Sequence, residues 1–153
     1  MNLISSFDPK TGEKLWEHPG ATTECVTSTV TDGNLVFTSG GFPKDHISAF
    51  KADGSQKEPV WENKSRAYVP SMLISNGHLY AVLDAGIAMC WKVDTGEELW
   101  KFQTGSGVVG QPITWMQDGS QYVAVTSGWG GAVPLWGGEV AKRVKFLNQG
   151  GSV

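Results

Sequence analysis

The chain has 153 residues, a formal net charge of −3 and a hydrophobic content of 40% before its 20 glycines are counted. These values are typical of one globular domain and exclude a disordered chain. The acidic balance argues against a protein that binds nucleic acid, and no apolar run approaches the roughly 18 residues of a membrane span.

The first predicted element is a hairpin near residue 10. The opening MNLISSFDPK has neither a basic head nor a long apolar stretch, so we predict no signal peptide in this chain. DPKTG at 8–12 is typical of a hairpin loop with Gly12 in the left-handed conformation, and KVDTG at 92–96 repeats it. A strand is therefore expected on each side of both loops.

Two sequence markers recur along the chain with one period. The first is a segment that ends in tryptophan, and the second is an Asp-Gly or Asn-Gly pair before an apolar run. The positions are Trp16, Trp61 and Trp100 for the first marker, and 32–33, 76–77 and 118–119 for the second. Both markers repeat about every 42 residues, which is the length of one β-propeller blade.

The internal pattern of each repeat is β throughout. Each Asx-Gly pair is a strong hairpin signal, because both turn residues tolerate positive φ. The runs that follow, at 35–38, 79–83 and 122–126, are rich in β-branched and aromatic residues, and no window has a helical period. One unit is therefore predicted to be a four-stranded antiparallel sheet.

The fold class predicted from these repeats is all-β, a partial β-propeller of four-stranded antiparallel blades. The length amounts to about 3.6 blades, below the usual minimum of four for a closed ring. We predict the end of a blade at 1–20, blades at 21–64 and 65–103, and a last blade, complete or not, at 104–153. Exposed sheet edges would then favour self-association.

The three marker tryptophans are predicted to fill the wedge between neighbouring blades, with ligand contact as the alternative. Cys25 and Cys90 are too few for a disulfide scaffold, and we expect both to be buried free thiols. The three histidines are expected on the surface or in turns, and the aspartates are expected mainly in turns. No set of residues has the spacing of a metal site.

The tryptophan segments resemble a known family. Residues 8–12 with Trp16, and 95–96 with Trp100, are similar to the tryptophan-docking repeat of PQQ-type propellers. The middle copy departs from it through an inserted QKEP, and Lys92 stands where the first copy has Asp8. The resemblance implies the propeller architecture but no particular function, since enzymes and scaffolds share it.

Two parts of the chain resemble two different kinds of protein. Residues 1–100, through segments such as ECVTSTVTDGNLVFTSGG, resemble non-catalytic PQQ-like repeat proteins of the outer-membrane-assembly lipoprotein type. Residues 101–153, through QYVAVTSGWGGAVPLWGG and NQGGSV, resemble the C-terminal region of quinoprotein alcohol dehydrogenases. That second resemblance implies a periplasmic enzyme that oxidises alcohols with PQQ and a Ca²⁺ or lanthanide ion.

The dehydrogenase resemblance does not extend to the catalytic groups. The adjacent cysteine pair of that family is absent, and no segment matches its metal ligands or its carboxylate base, so we predict no catalytic residue and no metal ligand. The cofactor candidates are Trp129, Gly130, Gly131 and Trp136, because glycines admit a close approach and indoles can lie against a planar quinone. The alternative is that both indoles cap the blade core.

Three hypotheses follow for the function. The chain is the C-terminal part of a PQQ-dependent alcohol dehydrogenase, a non-catalytic propeller that binds protein partners in the cell envelope, or a structural fragment that is inactive until it pairs with other blades or another protomer. We favour the first, with an alcohol as the substrate of the whole enzyme. We expect no turnover, and no firm PQQ binding, from this chain alone.

Overall fold

The structure is a computed structural model that describes residues 2–108 and 110–128. Twelve strands and no helix are found in this part of the chain. The strands are β1 Leu3–Phe7, β2 Lys14–Pro19, β3 Val30–Thr31, β4 Leu35–Gly41, β5 Asp45–Lys51, β6 Trp61–Asn63, β7 Leu73–Ser75, β8 His78–Val82, β9 Ile87–Lys92, β10 Glu98–Gln103, β11 Ile113–Gln117 and β12 Ser120–Ala124.

The strands form antiparallel sheets whose spatial order follows the sequence. Two sheets have four strands, β3-β4-β5-β6 and β7-β8-β9-β10, and two have two strands, β1-β2 and β11-β12. Each sheet is thus a meander in which short turns join neighbouring strands, except for the nine-residue loop at 52–60 between β5 and β6. The predicted all-β class and the four-stranded antiparallel unit are confirmed.

The Asx-Gly turns join the first and second strands of a sheet, as predicted. At 76–77 and at 118–119 both residues adopt positive φ, between 49° and 76°, which is the conformation of a type I′ turn. The turn at Asp32 differs, because only Gly33 has positive φ there. The Asp32 carboxylate instead accepts the Leu35 N–H at 2.7 Å, which closes a slightly longer loop.

The first hairpin, β1–β2, corresponds to β9–β10, the outer half of a complete sheet. In both hairpins the register skips one residue, so that Trp16 lies opposite Ser6 and Trp100 lies opposite Cys90. The two turns also have the same pattern of backbone hydrogen bonds, each 2.8–3.0 Å long. In the first turn the Asp8 N–H donates to Glu13 O and the Gly12 N–H donates to Asp8 O. In the second turn the Lys92 N–H donates to Glu97 O and the Gly96 N–H donates to Lys92 O.

The last hairpin of the described residues, β11–β12, corresponds to the inner half of a sheet. Its Asp-Gly turn at 118–119 has the conformation of the Asn-Gly turn between β7 and β8. It is stabilised on one face by Trp115 and Tyr122, whose rings stack with centroids 5.4 Å apart.

The main core lies between the two complete sheets. Its buried members are apolar side chains of the central strands and of the connection between the sheets: Leu35, Phe37, Ile47, Ala49, Ala67, Met72, Leu79, Ala81, Met89, Trp91 and Val93. Buried and exposed side chains do not alternate along β4 and β5. Nearly all their residues are buried, because both faces of these central strands are covered.

Three burial predictions were wrong. Cys90 is a buried free thiol, but Cys25 is exposed, because it lies in the connection between β2 and β3 and joins no sheet. His18 and His46 are buried, at 6% and 2% exposure, because they lie on β2 and β5 and not in loops. His18 stacks on the Trp16 indole with ring centroids 5.1 Å apart.

Candidate functional site

The loops gather at one end of the sheets. The connections between the second and third strands lie there, and so do the connections from one sheet to the next. We call this end the loop face, and it comprises 20–29, 42–44, 64–72, 83–86, 104–108 with 110–112, and 125–128. Binding and catalytic groups concentrate on loops that a rigid scaffold positions, so this face is the candidate functional site.

The segment before the cofactor candidates is held on this face. The Ser127 hydroxyl donates to Thr104 Oγ1 at 3.0 Å, and the Gly128 N–H donates to Gly107 O at 2.7 Å. Thr104 in turn donates to Gly86 O at 2.8 Å. The candidates themselves, Trp129, Gly130, Gly131 and Trp136, lie outside the described residues, so their role stays a prediction.

A charged cluster occupies the middle of the loop face. Arg66 Nη1 donates to Gly41 O at 2.6 Å and to Asp45 Oδ1 at 3.0 Å. On its other side, Arg66 Nε lies 3.8 Å from Asp84 Oδ2. The guanidinium also lies over the Tyr68 ring, 5.2 Å from its centroid. Arg66 therefore ties the loop between β4 and β5 to the loop between β8 and β9.

Two groups in this cluster have shifted pKa values. Burial raises the pKa of Asp84, although the N–H groups of Tyr68 and Val69 and the charge of Arg66 oppose that shift. The Tyr68 hydroxyl donates to the Glu24 carboxylate, and this bond, burial and the negative charge together raise the pKa of Tyr68.

The cluster is suited to holding loops together. Arg66 faces two carboxylates and a carbonyl oxygen, so its positive charge is already compensated within the protein. The sequence prediction missed this group, because it assigned Asp45 and Asp84 to turns and did not single out Arg66. No local signal could have found it, since the members come from four separate segments.

An apolar groove of about 620 Å³ opens between the second complete sheet and β11–β12. Trp100, Phe102, Pro112 and Val123 line it, and none of its lining residues within 2–108 and 110–128 is Lys, Arg or His. Among its lining residues the Tyr80 hydroxyl donates to Gln121 Oε1 at 3.2 Å, and the Ser127 hydroxyl donates to Thr104. The described lining of the groove therefore offers no cationic partner for the carboxylates of PQQ.

Metal-ligating side chains are scattered on the described part of the chain. Within residues 2–108 and 110–128, there is no group of three or more His, Cys, Asp or Glu side chains that could hold a metal ion. The described residues therefore do not form the Ca²⁺ or lanthanide site that the family resemblance implies, and no catalytic step is derived through it.

Two of the marker tryptophans join one sheet to the next. Trp16 Nε1 donates to Ala52 O at 3.0 Å, and a Cβ at Gly54 would lie 2.4 Å from the Trp16 ring. Trp61 Nε1 donates to Val93 O at 2.8 Å, and a Cβ at Gly96 would lie 2.6 Å from its ring. Each indole thus packs flat on a turn glycine of the following sheet.

Successive antiparallel sheets that interlock in this way define a partial β-propeller. The chain belongs to the PQQ_2 family, described as "Outer membrane protein assembly factor BamB", whose model matches residues 1–144. No helix in the described residues is long and apolar enough to cross a membrane.

Among curated proteins the similar relatives are quinoprotein alcohol dehydrogenases. The chain is 48% identical over 120 residues to quinoprotein alcohol dehydrogenase PedH of Pseudomonas putida, which covers 75% of this chain and 20% of that protein. It is 42% identical over 111 residues to 1-butanol dehydrogenase (quinone) of Thauera butanivorans, with 71% and 18% covered. The similarity therefore exceeds 101–153 and includes part of the first hundred residues. The chain spans about a fifth of the length of these relatives.

Solved structures show the same fold at low identity. BamB from Moraxella catarrhalis aligns with a TM-score of 0.65 at 18% identity, over 83% of this chain and 38% of that one. The quinohemoprotein alcohol dehydrogenase ADHIIG from Pseudomonas putida aligns with a TM-score of 0.54 at 21% identity, over 83% and 28%. At these identities the likeness concerns the fold alone.

Proposed function

We propose that this chain forms blades of a quinoprotein alcohol dehydrogenase-like propeller, in which the assembled ring oxidises an alcohol with PQQ and a Ca²⁺ or lanthanide ion. The observation that carries this proposal is the 48% identity to a quinoprotein alcohol dehydrogenase over 75% of the chain. By the same relation, the parent protein works in the periplasm, and Trp16 and Trp61 are docking tryptophans of its repeats.

The chain by itself is proposed to be inactive. Alcohol oxidation on a quinone needs a metal as Lewis acid and a carboxylate base next to the hydroxyl group. The described residues group no such ligands, and the matched region covers only 20% of the dehydrogenase relative. The chain supplies part of the ring of blades and presents the segment that begins at Ser127.

Activity is tested with the purified full chain. It is mixed with PQQ, Ca²⁺ or a lanthanide, an alcohol and a redox dye, with the full-length quinoprotein ethanol dehydrogenase of Pseudomonas putida as the positive control. We expect dye reduction no faster than with PQQ and metal alone. Metal-dependent turnover above that background would overturn the claim of inactivity.

The role of Trp129 and Trp136 is tested in a complete ring. This chain replaces the matching region of the ethanol dehydrogenase, and each tryptophan is changed to alanine. If they contact the cofactor, each variant loses PQQ affinity at least tenfold, measured by titration of the metal-loaded protein. Trp115→Ala is the matched control, because Trp115 lies on β11 away from the loop face. Equal losses in all three would show a purely structural role.

A second function is favoured by the family match. The family model that matches residues 1–144 carries the description of an outer membrane assembly factor. In that case the chain is a non-catalytic scaffold that binds protein partners in the cell envelope. Expression of the chain in a strain that lacks its own assembly factor tests this, because a scaffold would restore the outer-membrane barrier and a dehydrogenase fragment would not.

A further inference from the structure

One connection of the loop face covers a buried histidine. The connection consists of residues 20–25, which follow β2. His46 of β5 is 2% exposed. A Cβ at Gly40 of β4 would lie 2.2 Å from Thr22 Oγ1 and 2.7 Å from His46 Cε1. The connection and the imidazole ring therefore pack side by side against the same glycine.

The ring of His46 faces a small polar cavity. The cavity has a volume of about 70 Å³ and is lined by residues of the connection, the β4–β5 turn, β5 and β6: Gly20, Ala21, Thr22, Lys44, His46 and Glu62. Neither nitrogen of the ring has a hydrogen-bond partner of standard geometry. Burying an unpaired charge costs far more than burying a neutral polar group, so this cavity accommodates the neutral ring much better than the protonated ring.

Two charged groups act on the ring in opposite directions. Burial lowers the pKa of His46, although the backbone of Lys44, the carboxylate of Glu62 and the backbone of Gly20 favour the charged ring. The ammonium group of Lys44 acts in the same direction as burial. Lys44 Nζ and Glu62 Oε1 also pair with each other at 2.6 Å, so neither charge is fully available to the ring.

Within the described residues, the rest of the cavity wall carries no charge. Residues 20–22 are Gly, Ala and Thr, and the residue opposite His46 on β4 is Gly40. Asp45 precedes His46 in the chain, but its carboxylate accepts a hydrogen bond from Arg66 at 3.0 Å. A protonated ring therefore has to gain water, and a covering element has to move to admit it.

The connection is held less firmly than the two strands that meet at the ring. Its backbone hydrogen bonds are 3.2–3.3 Å long: Gly20 N–H and Ala21 N–H to Asn2 O, and Glu24 N–H to Phe42 O. Residues 23–25 are exposed, whereas β4 and β5 pair over seven consecutive residues. Segments with exposed backbone hydrogen bonds open at lower free energy than core strands, so the connection is the element that opens.

We propose that His46 is a pH-sensitive switch: protonation of its ring releases the connection 20–25 from the loop face. The same movement separates Glu24 from Tyr68, whose hydroxyl donates to the Glu24 carboxylate. It therefore uncovers the Tyr68 ring beside the Arg66 guanidinium, in the middle of the loop face. The inference concerns a loop of this chain and is independent of the proposed function.

The direction and size of the effect follow from the two states of the ring. In the closed form burial holds the pKa of His46 below 6.5, and in the open form the hydrated ring has its ordinary pKa of 6.5. The open form binds the proton more readily, so closure is complete above pH 6.5 and weakens as the pH falls. At one pH unit below 6.5, the opening equilibrium rises by at most about tenfold.

Hydrogen exchange of the full chain at about pH 7.5 and about pH 5.5 tests the switch. Protection factors correct for the effect of pH on intrinsic exchange, and at 20–25 they should fall about three- to tenfold on acidification. Protection in the β8–β9 hairpin should stay constant. His46→Gln should abolish the fall, because an amide does not titrate. His18→Gln is the matched control and should retain it: His18 is also buried, at 6% exposure, but its Nε2 lies 2.9 Å from Gly54 O.

A second pair of variants separates charge from structure. Lys44→Gln and Glu62→Gln break the same ion pair, so a purely structural effect moves both in one direction. Through the ring they act oppositely, because Glu62→Gln should increase the acid-induced loss of protection and Lys44→Gln should decrease it. Unchanged protection at 20–25 in the wild type, an equal fall in β8–β9, a wild-type response in His46→Gln, or equal responses of the two ion-pair variants would overturn the proposal.

Discussion

His46 is the residue whose chemistry departs most from its sequence-based assignment. It is 2% exposed on β5, and neither ring nitrogen has a hydrogen-bond partner of standard geometry. A cavity of about 70 Å³ lined by Thr22, Lys44 and Glu62 adjoins it. This is room for a water molecule, which buried polar groups normally use when no protein partner is present.

Burial gives His46 a defined effect on acid stability. Burial lowers the pKa of His46 from 6.5, while the backbone of Lys44 and the charge of Glu62 raise it. Because the unfolded chain binds the proton more readily, the free energy of unfolding should fall as the pH decreases from about 6.5 towards the lower pKa of the folded state. The stabilising effect of neutral His46 is complete above pH 6.5.

The measurement is urea unfolding at several pH values between 8 and 5. We expect His46→Gln to reduce the loss of unfolding free energy on acidification, because this variant has no ring to protonate. Glu62→Gln should increase that loss, since it removes a negative charge that favours the protonated ring. The same pH dependence in wild type and His46→Gln would contradict this account.

At the scale of elements, the turns between the third and fourth strands of the complete sheets have two structural roles. They reverse the chain with a left-handed glycine, and at Gly54 and Gly96 they also receive the indole of the preceding sheet. The two tasks can be separated, because Gly77 of the Asn-Gly turn has nearly the same φ as Gly96 but a Cβ added there would meet no atom within 4 Å.

Gly96→Ala should therefore destabilise the fold more than Gly77→Ala. Both variants carry the cost of a Cβ at positive φ, about 1–2 kcal/mol. At Gly96 the Cβ also meets the Trp61 ring, and such overpacking adds about 1–3 kcal/mol. Urea unfolding measures the difference, and Gly54→Ala should behave like Gly96→Ala. Equal losses at 77 and 96 would show that the indole contact contributes no packing constraint.

At the scale of the whole molecule, stability is concentrated in the two complete sheets. They share one core that includes Phe37, Ile47, Leu79 and Trp91, each at most 2% exposed. The half-sheets lie outside that core, and β10 and β11 are mostly exposed. Regions with few buried apolar contacts open at lower free energy than the core strands.

Native-state hydrogen exchange should reproduce this division. The slowest amides are expected in β4, β5, β8 and β9, and the amides of β11–β12 should exchange faster. Uniform protection across all twelve strands would contradict a core limited to the complete sheets.

The sequence by itself determined the repeat, the strand order and the turn positions. These follow from local chemistry, because the glycine of each Asx-Gly pair adopts positive φ in a turn, and because tryptophan recurs at one place in each unit. The cofactor candidates Trp129, Gly130, Gly131 and Trp136 also came from local sequence, and they remain predictions.

Only the tertiary structure decided which side chains lose contact with water. His18, His46 and Asp84 belong to strands or loops that neighbouring sheets cover, and Cys25 does not. The pairing of Arg66 with two aspartates depends on groups far apart in the chain. Burial and pairing of this kind arise from the packing of whole sheets, so no local pattern in the sequence encodes them.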